Sequence, residues 1–374
     1  MDTAKMCMIS GQSGFTINAS RIGTRGGLRT YAEAVFQCLA TRYDGVDLVL
    51  PRGVPVPEGI KAFVLPGWLS SSSRVSKLRP LLWLVYSALL FPVKRSRRVF
   101  STTHHALPFH KHQILTVHDL RPYFEPDTWV QKFYFHKMLG RALRRCDGIL
   151  TVSETSKRDI IAVYGIDAQK IFVVRNAVDL PPPTIGGAPL SMEDGPSYLL
   201  MVGASWKHKN ALEVLEQHGY WTPHFRLKIL AAAGQYCDQL QKRAADLGIS
   251  EKVDFLQAVS EAELAGLYRG CSALVYPSRM EGFGLPPLEA MAYGRPVIVS
   301  DIPVFRELYD DAPYFVELGN SASWRQAFLD IPKPGSELDA KRSATGLAVA
   351  AKFSTDRMCT ALTSALGSIW NLVR

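Results

Sequence analysis

Two unbroken apolar runs, Ala273-Leu274-Val275-Tyr276-Pro277 and Pro296-Val297-Ile298-Val299-Ser300, do most to limit what this chain can become. A strand that is apolar at every position is buried on both faces, as in parallel sheets covered by helices. Between the runs stands Glu281-Gly282-Phe283-Gly284-Leu285-Pro286-Pro287-Leu288-Glu289-Ala290-Met291-Ala292-Tyr293-Gly294. Its prolines fit a helix start, where no donor is needed, and Gly294 fits the helix end. The unit reads as strand, tight glycine loop, helix, strand. A helix opened by such a loop turns free backbone N–H groups toward the space before it, which suits a phosphate. With Pro287 first, Glu289 is expected in the first helical turn, where a carboxylate gains about 0.3–1 kcal/mol.

The same alternation runs along the rest of the chain. Met6-Cys7-Met8-Ile9 reads as a first strand, followed by a Gly- and Ser-rich loop through Gly23-Thr24-Arg25-Gly26-Gly27. Leu28, Tyr31, Ala32, Val35, Phe36 and Leu39 then recur at helical spacing. Gln113-Ile114-Leu115-Thr116-Val117-His118-Asp119 is a buried strand ending in a histidine and an aspartate. Ligands of open α/β sheets gather beyond such strand ends. Strands are also expected at 148–152, 170–174, 198–202, 228–231 and 252–256, with helices around 155–164 and 237–247. Ser260 and Glu263 have the spacing of a capping box. Pro181-Pro182-Pro183-Thr184-Ile185-Gly186-Gly187-Ala188-Pro189 reads as a linker. The expected organisation is an N-terminal domain over 1–180, a linker over 181–197 and a C-terminal domain over 198–374, with packing of the last helix back on the N-terminal domain left open. The fold class is α/β, two Rossmann-like domains facing each other across a cleft.

Charge separates the halves. Residues 1–180 hold 25 Lys and Arg against 13 Asp and Glu, and the remainder holds 18 against 21. The basic half calls for an anionic partner: a membrane surface, nucleic acid or a phosphorylated substrate. The most apolar run, Leu81-Leu82-Trp83-Leu84-Val85-Tyr86-Ser87-Ala88-Leu89-Leu90-Phe91-Pro92, is followed by Lys94-Arg95-Ser96-Arg97-Arg98. It is too short to cross a bilayer, which needs about 20 residues. Residues 81–98 read either as a core helix with a solvated basic cap or as an interfacial anchor on anionic headgroups. Six cysteines are scattered, with neither zinc-ligand spacing nor a disulfide framework, which fits a reducing compartment. The N-terminus carries no secretory signal pattern.

Glu281 to Ala292, followed by Gly294-Arg295-Pro296-Val297-Ile298, resembles the signature of the GT4 retaining glycosyltransferases, which have the GT-B fold. The likeness continues in order along the chain. Gly26-Gly27 with Tyr31, Thr116-Val117-His118-Asp119, Val152-Ser153-Glu154-Thr155-Ser156-Lys157, Asn176-Ala177-Val178-Asp179, and Val202-Gly203 through Lys209-Asn210 each resemble a family segment. Departures exist: His208 stands where arginine is usual before the lysine, Ala177 where glycine commonly follows the asparagine, and Gln257 where glycine usually follows Phe255-Leu256. Within the family the likeness is to bacterial polysaccharide and lipopolysaccharide mannosyltransferases.

The resemblance implies a hexosyltransferase, retaining and metal-independent, using a nucleotide sugar and no cofactor. It makes the N-terminal domain over 1–180 acceptor-binding and the C-terminal domain over 198–374 nucleotide-sugar-binding. It leans to mannose on GDP, with a deoxyhexose or glucose donor next. It implies that Lys209, helped by Lys207 or His208, grips the donor diphosphate, with the backbone at Phe283, Gly284 and Leu285 and a close approach at Gly27. Glu281 would hold the sugar and Glu289 the ribose, while Gln257 and Val259 line the base. His118 would position sugar and acceptor for front-face attack. A double displacement would need a carboxylate such as Asp119 or Glu281. The acceptor would be a polyprenyl-diphosphate-linked saccharide, reached at the inner face of the cell membrane through residues 81–98 by a cytoplasmic, peripheral protein. Two other readings stay open from the residues: a glycoside hydrolase using the paired carboxylates, and a non-catalytic nucleic-acid binder, which lacks any zinc-finger or RNA-binding signature.

Overall fold

The computed structural model describes residues 14–22, 26–56, 59–66, 69, 85–89, 93, 97–179 and 197–371. The chain divides into two compact units, residues 1–177 with 355–374, and residues 178–354. The strand expected at Met6-Cys7-Met8-Ile9, the loop residues Gly23, Thr24 and Arg25, and the linker at 181–189 lie outside the described residues, as do 81–84, 90–92 and 94–96 of the apolar–basic stretch.

The first unit holds a seven-stranded parallel sheet. Its strands are β1 (Thr16–Asn18), β2 (Asp47–Leu50), β3 (Lys61–Val64), β4 (Val99–Ser101), β5 (Gln113–Thr116), β6 (Gly148–Thr151) and β7 (Ile171–Val173). Their order is β3-β2-β1-β4-β5-β6-β7. β1 falls inside the segment expected to be loop: Phe15 and Ile17 point two buried apolar side chains into the core, but a three-residue strand is too short to show a pattern. Helix α1 (Gly27–Ala40) follows, and Gly26 at φ 102° forms its entry, a backbone state that favours glycine. Its buried face is Tyr31, Ala32, Val35, Phe36, Cys38 and Leu39, matching the helical spacing. Helix α2 (Glu154–Tyr164) is capped by the Ser153 hydroxyl and closed by Gly165 in the left-handed region. Residues 85–89 are helical, with Tyr86 and Ser87 buried and Val85 and Leu89 exposed.

The second unit holds a six-stranded parallel sheet of β8 (Tyr198–Val202), β9 (Arg226–Leu230), β10 (Val253–Leu256), β11 (Ala273–Tyr276), β12 (Val297–Ser300) and β13 (Tyr314–Val316). The order is β10-β9-β8-β11-β12-β13. β11 and β12, the two unbroken apolar runs, are buried at every position, as full coverage by helices requires. The helices that matter below are α3 (Glu261–Gly270), α4 (Leu285–Ala292), α5 (Pro303–Tyr309) and α6 (Glu337–Ala350). α3 opens on the Ser260–Glu263 capping box, with both reciprocal hydrogen bonds made. α4 and α6 pack together, and Gly346 lets α6 approach Met291.

The final helix, α7 (Thr355–Trp370), belongs to the first unit. Met358, Leu362, Ala365, Leu366 and Trp370 join the core that contains Phe36 and Leu39 of α1. The Trp370 indole N–H donates to Asp147 Oδ2 at 2.8 Å. Cys38 of α1 and Cys359 of α7 are bonded as a disulfide, with Cα atoms 5.4 Å apart. Spacing suggests no disulfide framework, and this pair departs from that expectation because a sequence separation of 321 hides it from any reading of local spacing. Cys146, Cys237 and Cys271 are buried thiols.

Candidate active site

Both sheets reverse their direction of growth once. In the second unit the chain builds outward from β8 through β9 to β10, then crosses to β11 on the other side of β8. The loops leaving β8 and β11 therefore part company at a topological switch point, where open α/β sheets leave a crevice.

The β8 loop carries Lys207, His208 and Lys209 on one 3₁₀ turn, ended by Asn210 at φ 58°. The β11 loop carries Arg279 and Glu281 before α4. Arg279 stitches the loops together: its backbone N–H donates to the His208 carbonyl at 2.8 Å, and its guanidinium donates to Asn210 Oδ1 at 3.1 Å. Lys209 Nζ then reaches Glu281 Oε1 at 2.5 Å and Tyr276 Oη at 2.5 Å, with both charged side chains largely buried at 16% and 12% exposure. The ammonium also lies 4.7 Å from the Tyr276 ring centroid. Burial pushes the Glu281 carboxyl up, but the adjacent Lys209 ammonium outweighs it and holds the group below the ordinary carboxylate range. Glu281 is thus an anion, and it shares Lys209 with whatever anion enters. His208 is half-buried, and Lys207 is exposed on the same turn.

The backbone that follows is held from behind. The Tyr309 hydroxyl of α5 donates toward the carbonyls of Phe283, at 3.0 Å, and Gly284. Gly284 has φ +94°, and a Cβ there would stand 2.5 Å from Tyr309 Oη and 2.7 Å from the Phe305 ring. Only glycine fits both the dihedral and the space. The Phe283 side chain turns inward, edge-on to Phe353 at 5.5 Å, so only its backbone is available to a ligand. Pro286 and Pro287 have no N–H, so the N-terminal donors of α4 narrow to the amides before them.

Glu289 is the one position whose local setting differs from expectation. α4 begins at Leu285, so Glu289 lies beyond the first turn and the dipole benefit does not explain it. Its carboxylate accepts from Tyr268 Oη of α3 at 2.5 Å. Burial raises its pKa, opposed by the tyrosine bond. A buried carboxyl with one protein donor retains acceptor capacity for hydroxyls. Gln257 and Val259 follow β10, an edge strand two positions from β8, with Gln257 exposed and Val259 half-buried. The structure brings together Lys209, Glu281 and the β8 loop, and places Gln257 and Val259 at a separate strand end.

In the first unit the switch point lies between β1 and β4. Gly27 is the first residue of α1. His118 sits two residues past β5, and its Nε2 bonds the Thr102 carbonyl at 2.9 Å. A carbonyl only accepts, so Nε2 carries the hydrogen. Burial lowers the His118 pKa, opposed by that carbonyl and by Asp119. The neutral ring therefore presents Nδ1 as an acceptor. Tyr31 packs edge-on against it at 4.7 Å, and Ser156 Oγ donates to its carbonyl at 3.0 Å. His104, after β4, is pushed down to about 3 by burial and by the nearby His118 and Arg21.

Residues 25–181 match the sequence profile of Glycosyltransferase Family 4, and residues 188–340 match that of Glycosyl transferases group 1. The O-antigen chain mannosyltransferase RfbU of Salmonella typhimurium is 38% identical over 324 residues, covering 84% of this chain and 90% of its own length. This chain belongs to the GT4 glycosyltransferases. O-antigen chain mannosyltransferase B of Escherichia coli is 28% identical, over 66% of this chain and 68% of its own. The sucrose-phosphate synthase structure from Thermosynechococcus elongatus superposes with a TM-score of 0.75 at 15% identity, covering 97% of this glycosyltransferase and all of that chain. The two parallel α/β units are thus those of the GT-B fold. Among the described residues no helix of the glycosyltransferase is long and apolar enough to cross a membrane. Tyr268, Tyr276, Arg279 and Tyr309 are the site residues that sequence reasoning missed. Arg279 lies just before Glu281, and that adjacency was the available signal; the tyrosines offered none.

Proposed function

We propose that this glycosyltransferase moves mannose from GDP-mannose onto a polyprenyl-diphosphate-linked saccharide in bacterial surface polysaccharide assembly, retaining the anomeric configuration and needing no metal or other cofactor. The observation that carries the reading is the largely buried Lys209–Glu281 pair at the switch point of the second sheet, in a chain with two O-antigen mannosyltransferase relatives.

Cleavage of the sugar–phosphate bond builds negative charge on the departing diphosphate and positive charge on the sugar ring. Lys209, the backbone amides from Phe283 to Leu285 and, to a lesser extent, Lys207 or His208 are assigned the diphosphate. Each preorganised donor of this kind is worth about 10²–10³ in rate. Glu281 accepts hydrogen bonds from the sugar hydroxyls and favours the developing ring cation. Glu289 accepts from the ribose, Gln257 and Val259 line the base, and Gly27 allows backbone approach. His118 accepts a hydroxyl hydrogen at Nδ1 and orients the reacting groups. The acceptor oxygen forms the new bond on the face the diphosphate leaves, and its proton passes to the departing phosphate oxygen. We assign residues 81–98 to anionic headgroups on the cytoplasmic side of the membrane.

A thermal-shift panel of GDP, UDP, dTDP and ADP, followed by their sugars, tests the donor. Ligand at 100 times its dissociation constant adds about 2.7 kcal/mol, or about 5–10 °C for a unit of this size. GDP and GDP-mannose are expected to give the largest shifts. A shift confined to UDP would overturn the donor assignment.

A further inference from the structure

Tyr276 ends β11, and its side chain is 3% exposed. Its hydroxyl accepts from Lys209 Nζ at 2.5 Å and interacts with the Glu281 carboxylate. The ammonium has hydrogens but no lone pair, so the phenol oxygen receives one of them and the phenol's own hydrogen is left for Glu281. Lys209 also donates directly to Glu281. Two of the three ammonium hydrogens are used in this way and the third is left for an incoming anion, while the Ser278 hydroxyl also acts on both the phenol and the carboxylate.

Resting on the donor-site reading above, we propose that Tyr276 is a positioning residue for hexose transfer, its hydroxyl fixing the direction of the Lys209 ammonium beside the Glu281 carboxylate so that one can grip diphosphate and the other sugar. A hydroxyl that accepts from the cation and donates to the anion keeps both oriented. A long lysine side chain has about 2 kcal/mol of rotamer entropy to lose when fixed. The Tyr276 ring, packed beside Phe305 at 6.0 Å, is already fixed. Burial and the adjacent Glu281 keep the phenol protonated, so it stays a donor throughout the working pH range. A purely structural role would need only the ring.

Tyr276→Phe separates the two roles, because it keeps the ring, its packing and its contact with the ammonium. Loss of a hydrogen bond to charged groups predicts kcat about 10- to 100-fold lower, with native near-ultraviolet circular dichroism. The acid limb of the kcat/KM profile should move to higher pH, since Glu281 loses a donor that favours its charged form. Incorporating 3-fluorotyrosine at 276, with its stronger O–H donor, should move that limb the other way, and it serves if the phenylalanine variant fails to fold. A kcat within twofold of wild type, or an acid limb unmoved in either variant, would overturn the role of Tyr276 while wild-type transfer and its loss in Glu281→Gln leave the donor site standing. Absence of transfer by the wild type from any nucleotide sugar would instead remove the donor-site reading, and this role with it.

Discussion

Replacing Lys209 by Met should make the stability of this enzyme depend on pH in a way that can be worked from the geometry. The substitution leaves Glu281 with 12% side-chain exposure and no cation at 2.5 Å. In the wild type the Glu281 pKa is lowered, so its contribution is present above the ordinary carboxylate range and is lost as pH falls through the lowered value. In the variant burial acts unopposed by the lysine and raises the pKa, so the penalty appears as pH climbs. The ceiling is the cost of protonating an ordinary carboxyl, about 3.7 kcal/mol at pH 7 and about 1 kcal/mol at pH 5. The expected loss is therefore about 2–4 kcal/mol at pH 7, shrinking by up to about 1.4 kcal/mol per unit toward pH 5. Urea unfolding followed by tryptophan fluorescence at pH 5, 6 and 7 reads it directly. The double variant Lys209→Met/Glu281→Gln removes both charges and should recover at least half of the loss with little pH dependence. A loss equal at pH 5 and pH 7, or a double variant as unstable as the two singles added, would refute the reasoning.

Two further substitutions probe the same unit. Gly284→Ala must place a Cβ at φ +94° against Tyr309 and Phe305, and should cost about 2–4 kcal/mol in urea unfolding while weakening nucleotide binding; a loss below about 0.5 kcal/mol would contradict the tight fit. Glu289→Gln removes a buried carboxyl whose raised pKa makes its charged form costly once pH exceeds that value. It should therefore be no less stable at pH 7 yet bind nucleotide about 10-fold more weakly by calorimetry, with no added loss for a 2′,3′-dideoxy nucleotide; an additive loss would separate Glu289 from the ribose.

The fold was legible where the physics is local. Continuous burial of Ala273–Tyr276 and Val297–Ser300 shows in sequence as unbroken apolar runs, and the Ser260–Glu263 cap shows as a fixed spacing. β1 was not legible, because three residues beside glycine and serine carry too little pattern. The Glu289 setting was misjudged by placing the helix start at the second proline, although α4 begins at Leu285. The tyrosines were invisible for a different reason. Tyr276 reads as an ordinary strand former and Tyr268 as one apolar position of a helix. What distinguishes them is where the hydroxyl ends, on Lys209 in one case and on Glu289 in the other. Those contacts join residues 67 and 21 positions apart and depend on which strands become neighbours. The Cys38–Cys359 pair is the extreme case, linking the first helix to the last.

Retaining transfer of mannose at the proposed Lys209–Glu281 centre is tested most directly by incubating the purified enzyme with GDP-mannose and a polyprenyl-diphosphate-linked saccharide, then reading the product by mass spectrometry and by the C–H coupling at the new anomeric carbon. The wild type should add one hexose with the donor's anomeric configuration, and Glu281→Gln none above background. Undiminished transfer by that variant, or a product of inverted configuration, would contradict retaining transfer at this centre.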